Sequence, residues 1–344
     1  MADAMADSPE RNDAYKAISH SLLQTDPARS LAVAARISDT PFRNGSMKAA
    51  IQALVAADPN VAVTAAVHTG GKDDVRSSAV QFLSEEIGKI VTAPTALPLY
   101  ARLAEYAGSI ADSTGRQHAF DALCVNLASF APLEAVAVAE KQMAGDSRDR
   151  ALSAVAAKAA RDLPMAESII DRISDPERRE IATVVIVNAV WQTEPVSALR
   201  LARGITDPAF RGRALLNVAM KMREDSKYRA VDILREAAAA ASQSTVAQMK
   251  NPLLRQIAMG AAFFDIDLAL DIAAELDDLS QRSDTIRQIA LSNFGLKQTW
   301  RVELLNRALD YAKQARAPPL IAQITGDLLS PPARAKRPAL AVFW

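Results

Sequence analysis

Apolar residues, alanine above all, recur along most of this chain at i, i+3, i+4 and i+7, the spacing of helices that bury one face. One phrase punctuates the pattern: an apolar helix ending in Ile or Leu, an Asp, three residues, an Arg, then an alanine-rich helix. It reads ARISDTPFR at 35–43, GSIADSTGR at 108–116, DRISDPERR at 171–179, RGITDPAFR at 203–211 and AELDDLSQR at 274–282, with a weaker copy, QMAGDSRDR, ending at Arg150. The helix before each phrase often opens on an acid–proline pair, Asp26-Pro27, Asp58-Pro59 or Glu194-Pro195. A capping side chain followed by proline at the first helical position is the expected helix start.

The aspartates at 39, 112, 146, 175, 207 and 278 anchor the register. The two longest intervals are about twice the others, and each holds a degenerate copy, one near Asp73 and Arg76, the other near Lys250. A last unit fits Asp310 to Arg316. The reading is an all-α chain, a right-handed α-solenoid of about nine stacked helical hairpins with a period of about 34 residues. A single hairpin cannot bury its own apolar stripe and must stack on its neighbours. Residues 1–12 are expected to be disordered, 13–328 to form one repeat domain, and 329–344 to be a proline- and base-rich tail, disordered or docking. Residues 84–98, with Pro94 and Pro98, read as a longer connector, and 224–250 as an extended helix followed by a polar turn.

Composition agrees. The chain has 69 alanines but 12 glycines in 344 residues, which favours helix over the turns of sheet folds and over phosphate-binding loops. The 40 basic residues match the 40 acidic ones, and zero net charge argues against a nucleic-acid binder, whose affinity comes largely from phosphate contacts. No apolar run approaches the ~20 residues of a membrane span. The N-terminal residues have acids where a signal peptide needs bases. The expectation is a soluble, cytoplasmic protein.

A 34-residue helix–turn–helix period with small residues at the hairpin contact resembles the tetratricopeptide-like and HEAT-like superfamily of helical-repeat α-solenoids, over about residues 13 to 328. The resemblance implies a scaffold that binds proteins or peptides on its concave face. Peptide-clamping members hold a backbone or terminal carboxylate with Asn and Lys on an inner helix. The similar residues here are Asn126, Asn188, Asn217 and Asn293, two of them with a lysine one turn on, Lys221 and Lys297.

The expected partner-binding set is therefore Asn188, Trp191, Asn217, Lys221, Asn293 and Lys297, with Trp191 as an apolar anchor. The Asp-x-x-x-Arg series reads first as helix caps and a ladder between repeats. Its alternative is a row of arginines for the phosphates of nucleic acid. Catalytic motifs do not emerge. His20, His68 and His118 fall in different repeats, and Cys124 stands alone. The acid pairs Asp73-Asp74, Glu85-Glu86, Asp265/Asp267 and Asp277-Asp278 read as caps and surface charge. No cofactor, metal site or enzymatic activity is expected.

Overall fold

The computed structural model describes residues 8–90, 92–222, 227–292 and 297–329. Nineteen α-helices occur among them, with a 3₁₀ turn at Ala159–Arg161, and no strand. After α1 (Pro9–Leu22), helices alternate as the leading and following members of nine hairpins. The leading helices are α2 (Pro27–Ala34), α4 (Pro59–Thr69), α6 (Ala93–Gly108), α8 (Pro132–Gln142), α10 (Leu163–Ile170), α12 (Pro195–Gly204), α14 (Lys227–Ser242), α16 (Ile266–Ala274) and α18 (Gln298–Gln314). The following helices are α3 (Thr40–Ala57), α5 (Asp73–Ile90), α7 (Ser113–Leu127), α9 (Gly145–Lys158), α11 (Pro176–Val190), α13 (Pro208–Lys221), α15 (Ala247–Ala261), α17 (Leu279–Ser292) and α19 (Pro318–Leu329). The helices group into two compact units that divide within α11, one up to Ala182 and one from Thr183.

The punctuation works as its chemistry requires. Asp26, Asp58, Asp162 and Asp265 cap leading helices α2, α4, α10 and α16. Asp39, Asp112, Asp175, Asp207 and Asp278 each accept a backbone N–H from the first turn of a following helix. Asp146 differs. Helix α9 begins before its aspartate rather than after it, at Gly145 with φ +53°, and has no side-chain cap, so Asp146 sits in its first turn. There its charge favours the helix dipole.

The arginines of the phrase do something the sequence did not suggest. Arg150 stands 3.9 Å from the aspartate four residues before it, Asp146. Arg116, Arg179, Arg211 and Arg282 instead turn back six residues, to the carbonyls of Ile110 (2.6 Å), Ile173 (2.6 Å), Ile205 (3.3 Å) and Leu276 (2.7 Å). Those carbonyls follow the end of a leading helix, where intrahelical donors run out. The Ile and Leu side chains are themselves in the core. Each guanidinium thus staples a hairpin turn shut.

The period appears in contacts between successive hairpins. Gln52 meets Glu86 34 residues on at 3.1 Å, Arg203 meets Glu236 33 on at 2.6 Å, and Arg172 reaches back 32 to Glu140 at 3.1 Å. Small residues set how closely helices approach. At Gly212 of α13, an added Cβ would stand 3.0 Å from the Ala237 carbonyl oxygen of α14 and 3.1 Å from Leu253 of α15.

Two boundaries differ from expectation. The first helix starts at Pro9, capped by Ser8, rather than after residue 12, because Ser-Pro supplies a complete start signal. The connector expected at 84–98 is mostly helix. Helix α5 runs to Ile90 and α6 starts at Ala93, with Pro94 in its first turn and Pro98 inside it, where only the bond to the Pro94 carbonyl is forgone. The tail from 330 to 344 lies outside the described residues. The expected extended helix is α14, followed by the turn at 243–246. No described helix is long and apolar enough to cross a membrane.

Candidate partner-binding face

Following helices bury one side against the leading helices, so their polar residues gather on the other. In the first unit this gathering is a linked ribbon. Lys48 of α3 pairs with Glu85 of α5 at 3.2 Å, while Lys89 meets Glu85 at 2.7 Å and Glu86 at 2.9 Å. Asn126 of α7 donates to Ser84 Oγ at 3.0 Å. The bond from the Lys89 ammonium is the largest effect holding the Glu85 carboxyl below the usual range, against a smaller upward push from burial. In the second unit, Arg255 of α15 meets Asp284 of α17 at 2.6 Å, and Arg287 meets Asp327 of α19 at 2.5 Å. The acid pair Glu85-Glu86 is thus part of a network between helices rather than a surface cluster.

The residues singled out for binding belong to the second unit. Asn188 is on α11, Asn217 and Lys221 are on α13, and all three are on following helices as expected. The structure brings two of them together. Lys221 Nζ donates to the backbone oxygen of Asn188 at 2.8 Å across 33 residues. That carbonyl is in the last turn of α11 and has no intrahelical donor, so the lysine caps the neighbouring helix and meets the negative end of its dipole. Partial burial lowers the pKa of the ammonium from the usual lysine value. Asn217, one turn before Lys221, is half-buried and makes no side-chain hydrogen bond to the described residues. Trp191 is half-buried in the turn after α11.

Lys297 is placed elsewhere. Helix α17 ends at Ser292, and Lys297 is the exposed N-cap residue of leading helix α18, without a side-chain capping bond. Lys297 is therefore not on a following helix. Asn293 itself lies outside the described residues.

A groove that sequence reasoning missed lies between α1 and α3. Its volume is about 590 Å³, and its walls include Lys16, Ala17 and His20 against Phe42, Gly45 and Ala49. The Lys16 ammonium stands 4.3 Å from the Phe42 ring centroid, a cation–π arrangement. The small residues Gly45 and Ala49 open it, a signal legible only once α1 and α3 are known to be neighbours.

No cluster of three or more His, Cys, Asp or Glu that could hold a metal occurs among the described residues. The Cys124 thiol is buried, and burial pushes its pKa up to about 12. Asp74 pairs with Arg43 at 2.7 Å and Asp277 with Lys250 at 3.3 Å.

No protein-family model matches the chain, and no curated protein matches it. Among solved structures it is similar to Ton1535 from Thermococcus onnurineus NA1, with 14% identity and a TM-score of 0.31 over 92% of this chain and 99% of that one. It is also similar to a circular tandem repeat protein with novel repeat topology and enhanced subunit contact surfaces, with 11% identity and a TM-score of 0.20 over 93% of this chain and 87% of that one. At TM-scores this low, neither likeness carries an inference about this chain.

Proposed function

We propose that this chain is a non-catalytic, cytoplasmic scaffold of the tetratricopeptide-like or HEAT-like kind that binds a protein or peptide on the polar face of its following helices. The observation that carries the reading is Asn217. Its carboxamide is half-buried, makes no hydrogen bond within the described protein, and stands one turn from an ammonium already aimed at a main-chain carbonyl. An amide can hold a peptide backbone by donating and accepting at once. Trp191, at the end of the neighbouring helix, supplies apolar area for an anchor.

The alternative, an arginine row on nucleic-acid phosphates, is less well supported. Four of those guanidinium groups donate to carbonyls of their own turns.

The test is capture of partners from native lysate with and without nuclease treatment, followed by affinity measurement on the partner recovered. Replacing Asn188, Asn217 and Lys221 together by alanine is expected to weaken that affinity at least tenfold while helicity is kept. Unchanged affinity defeats the assignment of this face. Recovery of nuclease-sensitive material alone moves the function to nucleic acid.

A further inference from the structure

Side chains bridge the following helices of the first unit. Between α3 and α5, Lys48 meets Glu85 at 3.2 Å and Gln52 meets Glu86 at 3.1 Å, and between α5 and α7, Asn126 donates to Ser84. Between α1 and α3 the groove of about 590 Å³ stays open instead. These two helices lie in a definite register. Asn12 accepts the backbone N–H of Ser38 at 2.9 Å, and the Lys16 ammonium stands 4.3 Å from the Phe42 ring centroid, each partner 26 residues on. The same offset sets Leu23 level with Ala49 at the far end of the groove. Ala17, Gly45 and Ala49 have too little side chain to fill the space between.

The walls select the occupant. They are mainly apolar, and the helix backbones behind them have spent their own hydrogen bonds. The Ser19 hydroxyl is committed as well, 3.0 Å from that of Ser30 on α2. An extended peptide would bring an N–H and a C=O per residue to walls with few groups to answer them. A protein surface is too large. From Asp13 to Leu23 the groove is about 15 Å long, and an interhelical spacing of about 10 Å gives it about 150 Å². A stable protein interface needs roughly 800 Å² per partner. The volume instead falls within the roughly 300–1,000 Å³ of small-ligand pockets. An acyl chain has no polar group along its length and loses nothing against such walls.

One end of the groove is charged. Lys16 is exposed and makes no ion pair with the described residues, its ammonium resting on the Phe42 ring. His20, one turn on, is exposed at the rim and offers a second donor. Asp13, one turn outward, repels an anion that would slide past Lys16. From Lys16 to Leu23 is about 10 Å, a distance suited to a chain of medium length.

We propose that the α1–α3 groove binds a free medium-chain carboxylate, its head on Lys16 beside His20 and its tail over Ala17 and Gly45 toward Leu23 and Ala49. The site belongs to the first unit. It does not depend on the binding role of Asn188, Asn217 and Lys221, and either reading can fail alone.

The test is calorimetric titration of the purified full chain with sodium decanoate below its micelle concentration. Saturable binding of one decanoate per chain is expected, with decyltrimethylammonium, the same tail on a cationic head, at least fivefold weaker. Lys16→Glu is expected to weaken decanoate binding at least fivefold. Gly45→Leu, whose side chain would fill the groove, is expected to weaken it at least tenfold. Nothing lies within 4 Å of a Cβ at position 45, so that variant is expected to keep its helicity, and Lys16→Glu tests the site independently. No saturable binding would overturn the proposal, as would equal affinity for the two heads or binding indifferent to both substitutions. A chain found dimeric in solution and made monomeric by Gly45→Leu would give the groove to a second copy, and would overturn it too.

Discussion

Asp149 on α9 holds the turn of the next hairpin: its Oδ2 accepts the backbone N–H of Asp175 at 2.8 Å and that of Ser174 at 3.1 Å. Arg148 completes the arrangement at 2.9 Å from Oδ1. The carboxylate is buried, so its removal strands two backbone donors and a guanidinium. Asp149→Ala is expected to cost about 3 kcal/mol of unfolding free energy, and Asp149→Asn, which can still accept, about 1 kcal/mol. Urea denaturation of the three proteins checks this, and equal midpoints would show that the turn does not depend on the carboxylate.

The same carboxylate sets a direction for pH. Burial raises the Asp149 pKa, but the N–H groups of Asp175 and Ser174 and the Arg148 guanidinium outweigh it, leaving the value below the usual 3.8. The Asp73 carboxyl is lowered chiefly by the N–H of Asp112, and that of Asp278 chiefly by the Ser280 hydroxyl. A lowered folded-state pKa means stability that is complete above the unfolded value and lost as pH falls through the folded one. The urea midpoint is expected to be flat from pH 8 to 5 and to fall below about pH 4. The fall should be shallower in Asp149→Asn.

Two helical glycines make a matched pair. Gly212→Ala places a methyl group against the α14 backbone, 3.0 Å from the Ala237 oxygen and 3.3 Å from the Ala241 nitrogen. Overpacking of that kind costs about 1–3 kcal/mol, more than the ~1 kcal/mol gained in helix propensity. Around Gly45 nothing lies within 4 Å, so Gly45→Ala is expected to stabilise by about 0.5–1 kcal/mol. Opposite shifts in thermal midpoint are the expected result. Shifts of the same sign would mean that the α13–α14 contact is looser than described.

Cys124 serves as a reporter. Desolvation, helped by the Asp121 charge, pushes its thiol up to about 12, and only the thiolate attacks a disulfide reagent. Labelling at pH 8 is expected to be slow and to accelerate with urea in step with unfolding of α7 and its neighbours. Rapid labelling in native buffer would place the thiol outside the core.

Much of the fold was legible because helix punctuation is local. Asp-Pro pairs and the Ile-x-Asp phrase announce starts and stops within a few residues, so the number of hairpins and their period could be counted before any contact was known. What Arg116 and Arg211 do was not legible. Choosing between an aspartate four residues back and a carbonyl six back depends on how the turn folds, and both lie within a guanidinium's reach. The binding face was legible in part. Asn188 and Lys221 meet because they are one repeat apart, but Lys297 is the N-cap of leading helix α18 rather than a residue of a following helix. The Lys48–Glu85 pairing needed a neighbour 37 residues away, and no periodic signal marked it.

The repeat length has a kinetic consequence. The bond from Asn126 to Ser84 spans 42 residues, and those of Gln52, Arg203 and Arg172 span 32 to 34. In a protein of 344 residues that is a small fraction of the length, so no distant ends need to meet before the first favourable contacts form. Folding is then free to begin at several hairpins and spread to their neighbours, at a speed set by local loop closure rather than by chain length.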